Sequence, residues 1–512
     1  MNKEDKMKEA HVYPRGCFFS SLEDIKGKKI TVMGLGLNGG GEASVRFFLS
    51  HGACVTVTDM KSREDLLPTV EALEKDKSLD HTRLRYVLGE HRLEDFSEAD
   101  CVIKNPGVRF EGNKFLEAAK AVETDLSIFL NFTKAPVIAV TGSKGKSSTV
   151  SAIHYGLCQS GFKAFLGGNI TVSPLTFLEE TNENTPVVLE LSSWQLRDLR
   201  GRGVLKPHVA LITKIVPDHQ NFYGDMDSYV ADKCLIFADQ TAGDYTILDA
   251  ETDGYQKESS SPDKSCKGWG DFFASKTKAT VLRYGTQSLA EGSFGVYKDC
   301  VRLPEGGEEK ILGSLLVPGR HNRINVLNAA LVLRLMGVSG EKIQTIMGSW
   351  KGIPHRLERF HEWKNNKGTE FVFFNDSCAT VPEASAAASQ SFEKPVILLA
   401  GGTDKELDFV PLARTLNGEC GTQFKPRATY LLSGSGTDKL LPLLEERKVP
   451  YEGPFDSLGV LLAILKDNIE DCSESDSPVP VVFSPGATSF GMFKNEFDRG
   501  NQFKELTVKH FC

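Results

Sequence analysis

The sequence predicts an α/β protein of three domains, each built around a mostly parallel sheet. Between residues 28 and 145, short apolar runs alternate with segments whose apolar residues recur every three or four positions. Runs such as KKITVM and APVIAV stop at Gly, Asp or Thr-Gly, as buried parallel strands do, and the intervening segments have the spacing of amphipathic helices. Alternating strands and helices of this kind are typical of the α/β class.

The number of domains follows from the length and from where the strand pattern restarts. A chain of 512 residues corresponds to about three domains at roughly 150 residues each. A second series of strand–loop units starts near EFVFFNDS and runs through KPVILLAGG and PVVFSPGA. We therefore predict domains at 1–125, 126–352 and 353–512. The polar stretch DGYQKESSSPDKSCKGWGD (253–271) is interpreted as an exposed insertion.

Composition excludes several classes of protein. The chain is 40% apolar and 25% charged, and its formal net charge of -8 is spread over both signs, which argues against a nucleic-acid scaffold. The first residues lack an apolar leader, and no run approaches the roughly 18 apolar residues of a membrane span. The 11 cysteines are scattered without a C-x-x-C pair, as buried thiols in a reducing compartment are. These features predict a cytoplasmic protein without a membrane segment.

One loop carries a phosphate-binding pattern. In VIAVTGSKGKSSTVSAIHYGL, a strand, a Gly-rich turn at Thr141–Ser148 and a helix follow each other. Glycines let backbone amides turn towards phosphate oxygens, and the helix adds unpaired N–H groups and a positive dipole end. Lys146 would reach the terminal phosphates, and Ser147 would offer its hydroxyl to Mg²⁺. Val140 stands where a strict G-x-x-x-x-G-K-[ST] motif has glycine, and the loop alone predicts nucleotide binding but no particular reaction.

A second glycine pattern, G-x-G-x-x-G, occupies residues 34–39, and Asp59 ends the next predicted strand. This pattern is typical of a diphosphate bound at a helix N-terminus, with the acidic residue near a ribose hydroxyl. It does not identify the nucleotide, so an NAD-dependent oxidoreductase stays an alternative. Asn105, in the turn Asn-Pro-Gly after a later strand, either lines the same cleft or belongs to a plain turn.

Acidic and histidine residues follow the phosphate loop. Glu190 ends the apolar strand VVLEL, where a magnesium ligand belongs if the neighbouring strand carries phosphates. The pair Asp218-His219 follows a further strand, and an isolated histidine there is as compatible with structure as with proton transfer or metal binding. Lys233 lies in a helical segment and has no distinguishing feature of its own.

Eight segments taken in order resemble the Mur ligases, over nearly the whole chain. They are TGSKGKSS, LELSSWQL, VPDHQNFY followed by Lys233, GRHNRINVLNAA, GIPHRLE, NDSCATVPEA, AGGTDKELDF and SPGATSFGMFKNEFDRG. The strings NDS-x-AT-x-P and SPG-x-x-SF-x-MFKN are most similar to the branch that adds D-glutamate. The resemblance implies a Rossmann-like N-terminal domain for a UDP-sugar, a central P-loop ATPase-like domain with a parallel sheet, and a C-terminal Rossmann-like domain that closes over the site.

The resemblance also implies roles for individual positions. ATP would contact Gly142, Ser143, Lys144, Gly145, Lys146, Ser147, Ser148, Asn322, Asn325, Arg356 and Asp376. The UDP substrate would contact Gly36, Leu37, Asn38, Gly39, Asp59, Lys61, Asn105, Asn169, Gln195 and His219. D-glutamate would contact Thr380, Lys405, Ser489 and Phe490. Two Mg²⁺ ions would be held by Ser147, Glu190, His219 and a carbamylated Lys233, and the catalytic residues would be Lys146, Glu190, His219 and Lys233.

Three positions depart from the family pattern. Cys378 stands where some members have lysine, Asn221 stands where aspartate is common, and Glu496 precedes the aromatic Phe497 that follows Asn495 directly in the family. These departures bear on individual contacts, chiefly in the third domain.

The resemblance implies a reaction. A substrate carboxylate attacks the γ-phosphate of ATP, and the amine of D-glutamate then displaces phosphate from the acyl phosphate, giving an amide in peptidoglycan precursor synthesis. The expected partners are UDP-N-acetylmuramoyl-L-alanine, D-glutamate and ATP, without nucleic acid or membrane, and the expected state is a monomer. The alternatives are another Mur-type or folylpolyglutamate ligase, an NAD-dependent oxidoreductase, and a non-catalytic nucleotide-binding switch.

Overall fold

The structure is a computed structural model that describes residue 16 and residues 19–218, 223–251, 268–285, 289–290, 292–304, 306–419, 424–474 and 477–512. The chain forms two compact units, one of residues up to 312 with 327–343, the other of 313–326 with 344–512. Two parallel-dominated sheets lie in the first unit and one in the second. The predicted α/β class is therefore confirmed, while the boundaries near 125 and 353 stay predictions.

The strands have the following bounds: β1 Lys29–Met33, β2 Cys54–Asp59, β3 Leu84–Leu88, β4 Cys101–Lys104, β5 Val122–Glu123, β6 Val137–Thr141, β7 Phe165–Gly168, β8 Val187–Glu190, β9 Val209–Ile212, β10 Tyr245–Asp249, β11 Thr280–Gly285, β12 Gly295–Tyr297, β13 Cys300–Arg302, β14 Glu308–Lys310, β15 Glu358–Lys364, β16 Glu370–Asn375, β17 Ile397–Gly401, β18 Ala428–Leu432, β19 Glu452–Phe455 and β20 Val479–Phe483.

The α-helices have the following bounds: α1 Gly40–Ser50, α2 Leu67–Glu74, α3 Leu93–Ser97, α4 Lys114–Glu117, α5 Asp125–Phe132, α6 Lys146–Gln159, α7 Ser193–Asp198, α8 Met226–Lys233, α9 Trp269–Ala274, α10 Arg320–Leu335, α11 Gly340–Gly348, α12 Pro382–Ser389, α13 Val410–Leu416, α14 Ser435–Glu446, α15 Leu458–Ile469 and α16 Glu496–His510.

The first sheet has the strand order β3-β2-β1-β4-β5, and every neighbouring pair is parallel. This order is that of a Rossmann-type mononucleotide-binding sheet. The glycine pattern at residues 34–39 joins the carboxyl end of β1 to α1, whose N-cap Gly39 has a φ of 82°. The predicted placement of this loop, between a strand and a helix N-terminus, is confirmed.

The second sheet has the order β14-β13-β12-β11-β10-β9-β6-β8-β7, parallel except for the antiparallel pairs that β13 makes. β6 lies between β8 and β9 and pairs with both, and all five of its residues are buried. Because β6 ends at Thr141, the phosphate loop emerges from the middle of the sheet. The carboxyl ends of β8 and β9 flank it.

The third sheet has the order β15-β16-β20-β17-β18-β19, parallel except for the edge strand β15. Large apolar side chains on its two faces form separate clusters, one around Leu398 and Leu412, the other around Phe483 and Phe503. The segments NDSCAT, AGGTDK and SPGATSF begin at or just beyond the carboxyl ends of β16, β17 and β20. Parallel pairing therefore brings these segments to one edge of the sheet.

Two interpretations made from the sequence need correction. The last residues of the presumed exposed insertion form α9, in which Trp269 and Phe273 are buried, because aromatic side chains there pack against the core of the second sheet. Residues 252–267 lie outside the described part. The eight described cysteines are free as expected, but only Cys101 is buried, and Cys54, Cys158 and Cys512 are exposed. Within the described residues, no helix is long and apolar enough to cross a membrane.

Candidate active site

The phosphate loop is fixed by hydrogen bonds to the neighbouring strand segment. The Ser143 amide donates to the Lys214 carbonyl (2.9 Å), and the Ser143 hydroxyl donates to the Val216 carbonyl (2.8 Å). Gly142 has a φ of 144°, and a Cβ there would lie 1.9 Å from the Thr213 hydroxyl oxygen. Only glycine satisfies both the backbone angle and the close approach of Thr213.

The helix that follows the loop begins where the pattern predicts. Gly145, with a φ of 92°, is the N-cap, and α6 starts at Lys146. The first amides of α6 have no partner inside the helix, so they form an anion-binding end. Ser147 and Ser148 lie in this first turn, half-buried, whereas Lys144 is exposed.

Lys146 folds back on its own loop. Its ammonium donates to the carbonyl oxygens of Gly142 (2.9 Å) and Ser143 (3.1 Å). Burial lowers the pKa of Lys146, while Glu190 and Asp218 act in the opposite direction. A cation that is partly desolvated and lies against the loop at the start of a helix suits the terminal phosphates of a nucleotide.

Glu190 lies beside the loop, at the end of β8. It pairs in register with Val140 of β6 and with Gly168 of β7. The side chain is 2% exposed, and its Oε1 accepts from the Asn169 amide at 3.0 Å. Its Oε2 is buried and has no hydrogen-bond partner among the described residues. A buried carboxylate oxygen left unpaired is costly, which indicates that a ligand completes this site.

Lys233 reaches the same loop from the end of α8. It is 1% exposed, and its ammonium donates to the Gly142 carbonyl at 3.0 Å. The ammonium lies 4.5 Å from the centre of the Tyr229 ring, one turn earlier on α8. Burial, and after it the charge of Lys146, lower the pKa of Lys233 to about 7. A lysine that is readily neutral near pH 7 is a nucleophilic amine.

These side chains fit Mg²⁺. The described chain has no cluster of three His, Cys, Asp or Glu side chains that could hold a metal by itself. A cation next to the loop would instead take the unpaired oxygen of Glu190, the Ser147 hydroxyl and phosphate oxygens, which is the oxygen-rich set that Mg²⁺ prefers. His219, predicted as a metal and substrate ligand, lies outside the described residues, as does Asn221.

The predicted UDP loop is organised around Asp59. Its carboxylate accepts from the amides of Gly36 (3.1 Å) and Lys61 (2.9 Å). Leu37, Asn38 and Lys61 are exposed around it. A Cβ at Gly34 would meet the Asn105 side chain at 3.1 Å, so the Asn-Pro-Gly turn lies against the glycine loop. The structure thus brings Asn105 to the predicted site.

Gln195, predicted to contact substrate, caps the start of a helix. Its side-chain oxygen accepts from the Ser192 backbone amide (3.0 Å), and its own backbone amide donates to the Ser192 hydroxyl (3.2 Å). This is a capping box at the start of α7. The side chain is 7% exposed.

In the second unit, Asp376 follows β16. Its Oδ1 accepts from the Leu357 amide (3.1 Å) and its Oδ2 from the Ser484 hydroxyl (2.7 Å). Burial nevertheless raises the pKa of Asp376 to about 7, although these bonds and the charge of Arg356 favour the ionised form. Arg356 is exposed next to this carboxyl.

Other predicted residues of the second unit lie at the same sheet edge or on α10. Thr380 is half-buried beyond β16, Lys405 is exposed beyond β17, Ser489 is 4% exposed beyond β20, and Phe490 is 65% exposed. Asn322 and Asn325 of α10 are each 8% exposed, and the Asn322 amide donates to the Pro318 carbonyl at 2.8 Å.

Sequence reasoning missed three residues that shape the site. Thr213 leaves no room for a side chain at 142, Tyr229 accepts or donates a hydrogen bond at the Ser143 hydroxyl (3.0 Å), and Arg499 ties two loops of the second unit together. Arg499 lies within the string FDRG, which belongs to one of the segments that resemble the family. Nothing in that string distinguishes a buried arginine from an exposed one.

Comparisons with known proteins agree with this geometry. The family description "Mur ligase MurD-like, N-terminal domain" matches residues 28–125, and "Mur ligase middle domain" matches residues 140–333. The UDP-N-acetylmuramoylalanine–D-glutamate ligase of Treponema pallidum is 40% identical, with 94% of this chain and 97% of that protein covered. The ligase of the same name from Borreliella afzelii is 38% identical, with 95% and 98% covered.

Solved structures share the fold at low identity. UDP-N-acetylmuramate-alanine ligase MurC of Thermotoga maritima has a TM-score of 0.52 at 18% identity, covering 94% of this chain and 99% of its own. MurF ligase of the same organism, in complex with ADP, has a TM-score of 0.50 at 16% identity, covering 98% of both chains.

A phosphate loop beside a buried glutamate and a buried lysine, in a chain that also has two further α/β sheets, fits the class of ATP-dependent ligases that form amide bonds. The chain belongs to the Mur ligase family. Its curated relatives of 30–40% identity over most of the chain carry the name of the D-glutamate-adding ligase. It is an enzyme that uses ATP.

Proposed function

We propose that this enzyme joins D-glutamate to UDP-N-acetylmuramoyl-L-alanine, with ATP converted to ADP and phosphate, in cytoplasmic peptidoglycan precursor synthesis. The observation that carries the proposal is the convergence of Lys146, Glu190 and Lys233 on one phosphate loop. The names of the relatives supply the substrates, and the eight ordered motifs agree with them.

In the first step, the alanine carboxylate attacks the γ-phosphorus of ATP, the bond to ADP breaks, and an acyl phosphate forms. Lys146 leaves the carbonyls of its own loop to pair with the phosphate oxygens, and the first amides of α6 bind the same oxygens. Because hydrogen bonds of Ser143 and Gly142 already fix the loop, the loop loses little conformational freedom when ATP binds.

In the second step, the neutral amine of D-glutamate attacks the acyl carbon, phosphate leaves, and the amine gives up a proton. Thr380, Lys405, Ser489 and Phe490 of the second unit are the proposed D-glutamate contacts. A lysine and two hydroxyls suit a dicarboxylic amino acid. Exclusion of water from this step protects the acyl phosphate from hydrolysis.

Mg²⁺ fits the acidic side of the loop. Glu190 and Ser147 would hold one ion, and Lys233, once carbamylated by CO₂, would offer a carboxylate-like group to a second. When bound, Mg²⁺ neutralises charge on the phosphates. The low pKa of Lys233 supports carbamylation, because only a neutral amine reacts with CO₂.

The test is phosphate release from ATP in the presence of UDP-N-acetylmuramoyl-L-alanine, with and without D-glutamate. We expect release that depends on D-glutamate, together with a product whose mass has increased by one glutamyl residue. L-glutamate serves as the stereochemical control. Dependence on another amino acid would identify a different Mur-type ligase, and activity only with a folate and L-glutamate would identify a folylpolyglutamate ligase.

A further inference from the structure

Arg499 is the largest side chain that the second unit buries completely. It lies in the first turn of α16 and is 1% exposed. Burying a guanidinium is expensive unless its charge is paired or its N–H groups are fully used. The burial of Arg499 therefore needs a physical explanation.

The guanidinium makes three hydrogen bonds, and all three end on neutral oxygens. Nε donates to the Ser377 hydroxyl (3.0 Å), Nη2 to the Ser377 carbonyl (2.7 Å) and Nη1 to the Ala487 carbonyl (3.0 Å). The Ser377 hydroxyl in turn donates to the Glu496 carbonyl at 2.7 Å, so the loop is also tied to the start of α16.

These contacts join two loops that the sheet alone leaves independent. Ser377 belongs to the loop after β16, which carries Thr380, and Ala487 belongs to the loop after β20, which carries Ser489. Nη1 also approaches the third loop, since a Cβ at Gly402 would lie 3.7 Å from it. One side chain thus sets the spacing of the loops at this edge.

The charge of Arg499 is only weakly offset. Burial lowers its pKa to about 10, which Glu496 and Cys378 counteract only in part. A positive charge held behind neutral carbonyls contributes a favourable potential for an anionic ligand at the same loops.

We propose that Arg499 is a positioning residue for the dicarboxylic amino acid: it fixes the distance between the Ser377–Thr380 loop and the Ala487–Phe490 loop, and thereby the site for D-glutamate. This inference rests on the proposed function. Asp376, the proposed ATP contact, is held separately by Leu357 and Ser484. Loss of Arg499 should therefore affect the amino acid more than ATP.

The experiment compares Arg499→Met, Arg499→Lys and Ser377→Ala with wild type, using apparent KM values for D-glutamate, ATP and UDP-N-acetylmuramoyl-L-alanine, and Tm. Arg414→Met, on α13 and paired to Glu419 at 3.5 Å, is the matched control in the same unit. We expect KM for D-glutamate to rise about tenfold or more in Arg499→Met, because small misplacements of binding groups carry large costs. The other two KM values should stay within about twofold.

The variants separate the possible results. A lysine keeps the charge but cannot bridge both loops, so Arg499→Lys should recover only part of the D-glutamate affinity. If Arg499→Met does not fold, Ser377→Ala, which keeps the guanidinium and removes the hydroxyl's hydrogen bonds with Arg499 and with the Glu496 carbonyl, should still raise KM for D-glutamate alone. An unchanged KM for D-glutamate, or an equal rise in all three KM values, overturns the proposal. Wild type without D-glutamate-dependent turnover overturns the proposed function instead.

Discussion

Lys104 and Asp198 form an ion pair in which the ammonium lies 2.7 Å from Oδ2 and both side chains are almost completely buried. Lys104 ends β4 of the first sheet, directly before Asn105, and Asp198 is the last residue of α7. The Lys104 ammonium also donates to the Val108 carbonyl at 2.9 Å. The pair thus ties the loop of the proposed UDP site to the helix that follows Glu190.

Breaking this pair should destabilise the protein strongly. Lys104→Met or Asp198→Asn leaves one buried group without its partner, and the expected cost is about 3–5 kcal/mol in the free energy of unfolding. The measurement is urea-induced unfolding of both single variants and of the double variant Lys104→Met/Asp198→Leu, which should recover most of the loss.

The matched control for that experiment is Lys29→Met. Lys29 and Glu98 lie 3.9 Å apart with side chains 66% and 70% exposed, so the control should cost less than about 1 kcal/mol. Equal losses for Lys29→Met and Lys104→Met would show that burial of the pair is not what matters.

Replacement of Lys146 by methionine should abolish phosphate transfer with little loss of structure. Among the described residues, the ammonium donates to loop carbonyls alone. Loss of one preorganised charge at a reacting phosphate costs about 10²–10³-fold in rate. Steady-state phosphate release and Tm are the two measurements. Lys163→Met is the control, because Lys163 pairs with Glu180 at 3.0 Å on the surface of the same unit. Activity above about a tenth of wild type in Lys146→Met would contradict the assignment.

Lys233 should act through its carbamate. Lys233→Ala should lose activity by about 10²–10³-fold, and a short carboxylate such as acetate should restore part of it. Lys233→Arg, which keeps a positive charge but cannot be carbamylated, should stay inactive. Carbon-13 NMR with labelled bicarbonate should show a carbamate signal in wild type that is missing from Lys233→Ala. Full activity of Lys233→Ala without any additive would remove the carbamate from the mechanism.

Asp376 should make stability depend on pH in a predictable direction. Its pKa is raised from 3.8 to about 7 in the folded protein. The folded state therefore binds the proton more tightly than the unfolded state, and the stability that this provides is present below about pH 4 and is lost as the pH rises through about 7. In the absence of nucleotide, the difference in Tm between Asp376→Asn and wild type should shift in favour of the variant between pH 5 and pH 8.

The control for the pH experiment is Asp498→Asn, a carboxyl in the first turn of α16 whose Oδ2 accepts from the Lys494 amide at 3.0 Å, a bond that lowers the pKa of Asp498. Its effect on Tm should not shift in favour of the variant over this range. A constant Tm difference between Asp376→Asn and wild type would show that Asp376 is ionised in the folded protein throughout.

Local rules were sufficient to predict the elements that bear the loops. Apolar runs followed by glycines located β1 and β6 and the helices after them, because strand burial and left-handed glycines depend on a few adjacent residues. They also placed Glu190 at the end of β8. The resemblance to a family, and not periodicity, supplied the substrates and the role of Lys233.

Long-range packing decided what could not be predicted. Trp269 looked like part of a polar insertion, yet it packs in α9 against residues of the second sheet's core. Gln195 closes a capping box with Ser192, and its contact with substrate stays a prediction. Arg499 is buried through contacts with loops far away in the chain, since Ser377 precedes it by 122 residues. No local pattern in the sequence predicts such a contact.

The buried position of β6 has a consequence for motion. Thr141, Gly142 and Ser143 are buried, and their hydrogen bonds run to residues on both neighbouring strands or just beyond them. Opening the loop would require disrupting the centre of a nine-stranded sheet, so its amides should exchange with solvent deuterium only as slowly as the core does. The Lys146 side chain is then the part of the site that moves, because its ammonium donates to carbonyls of its own loop until phosphate binds.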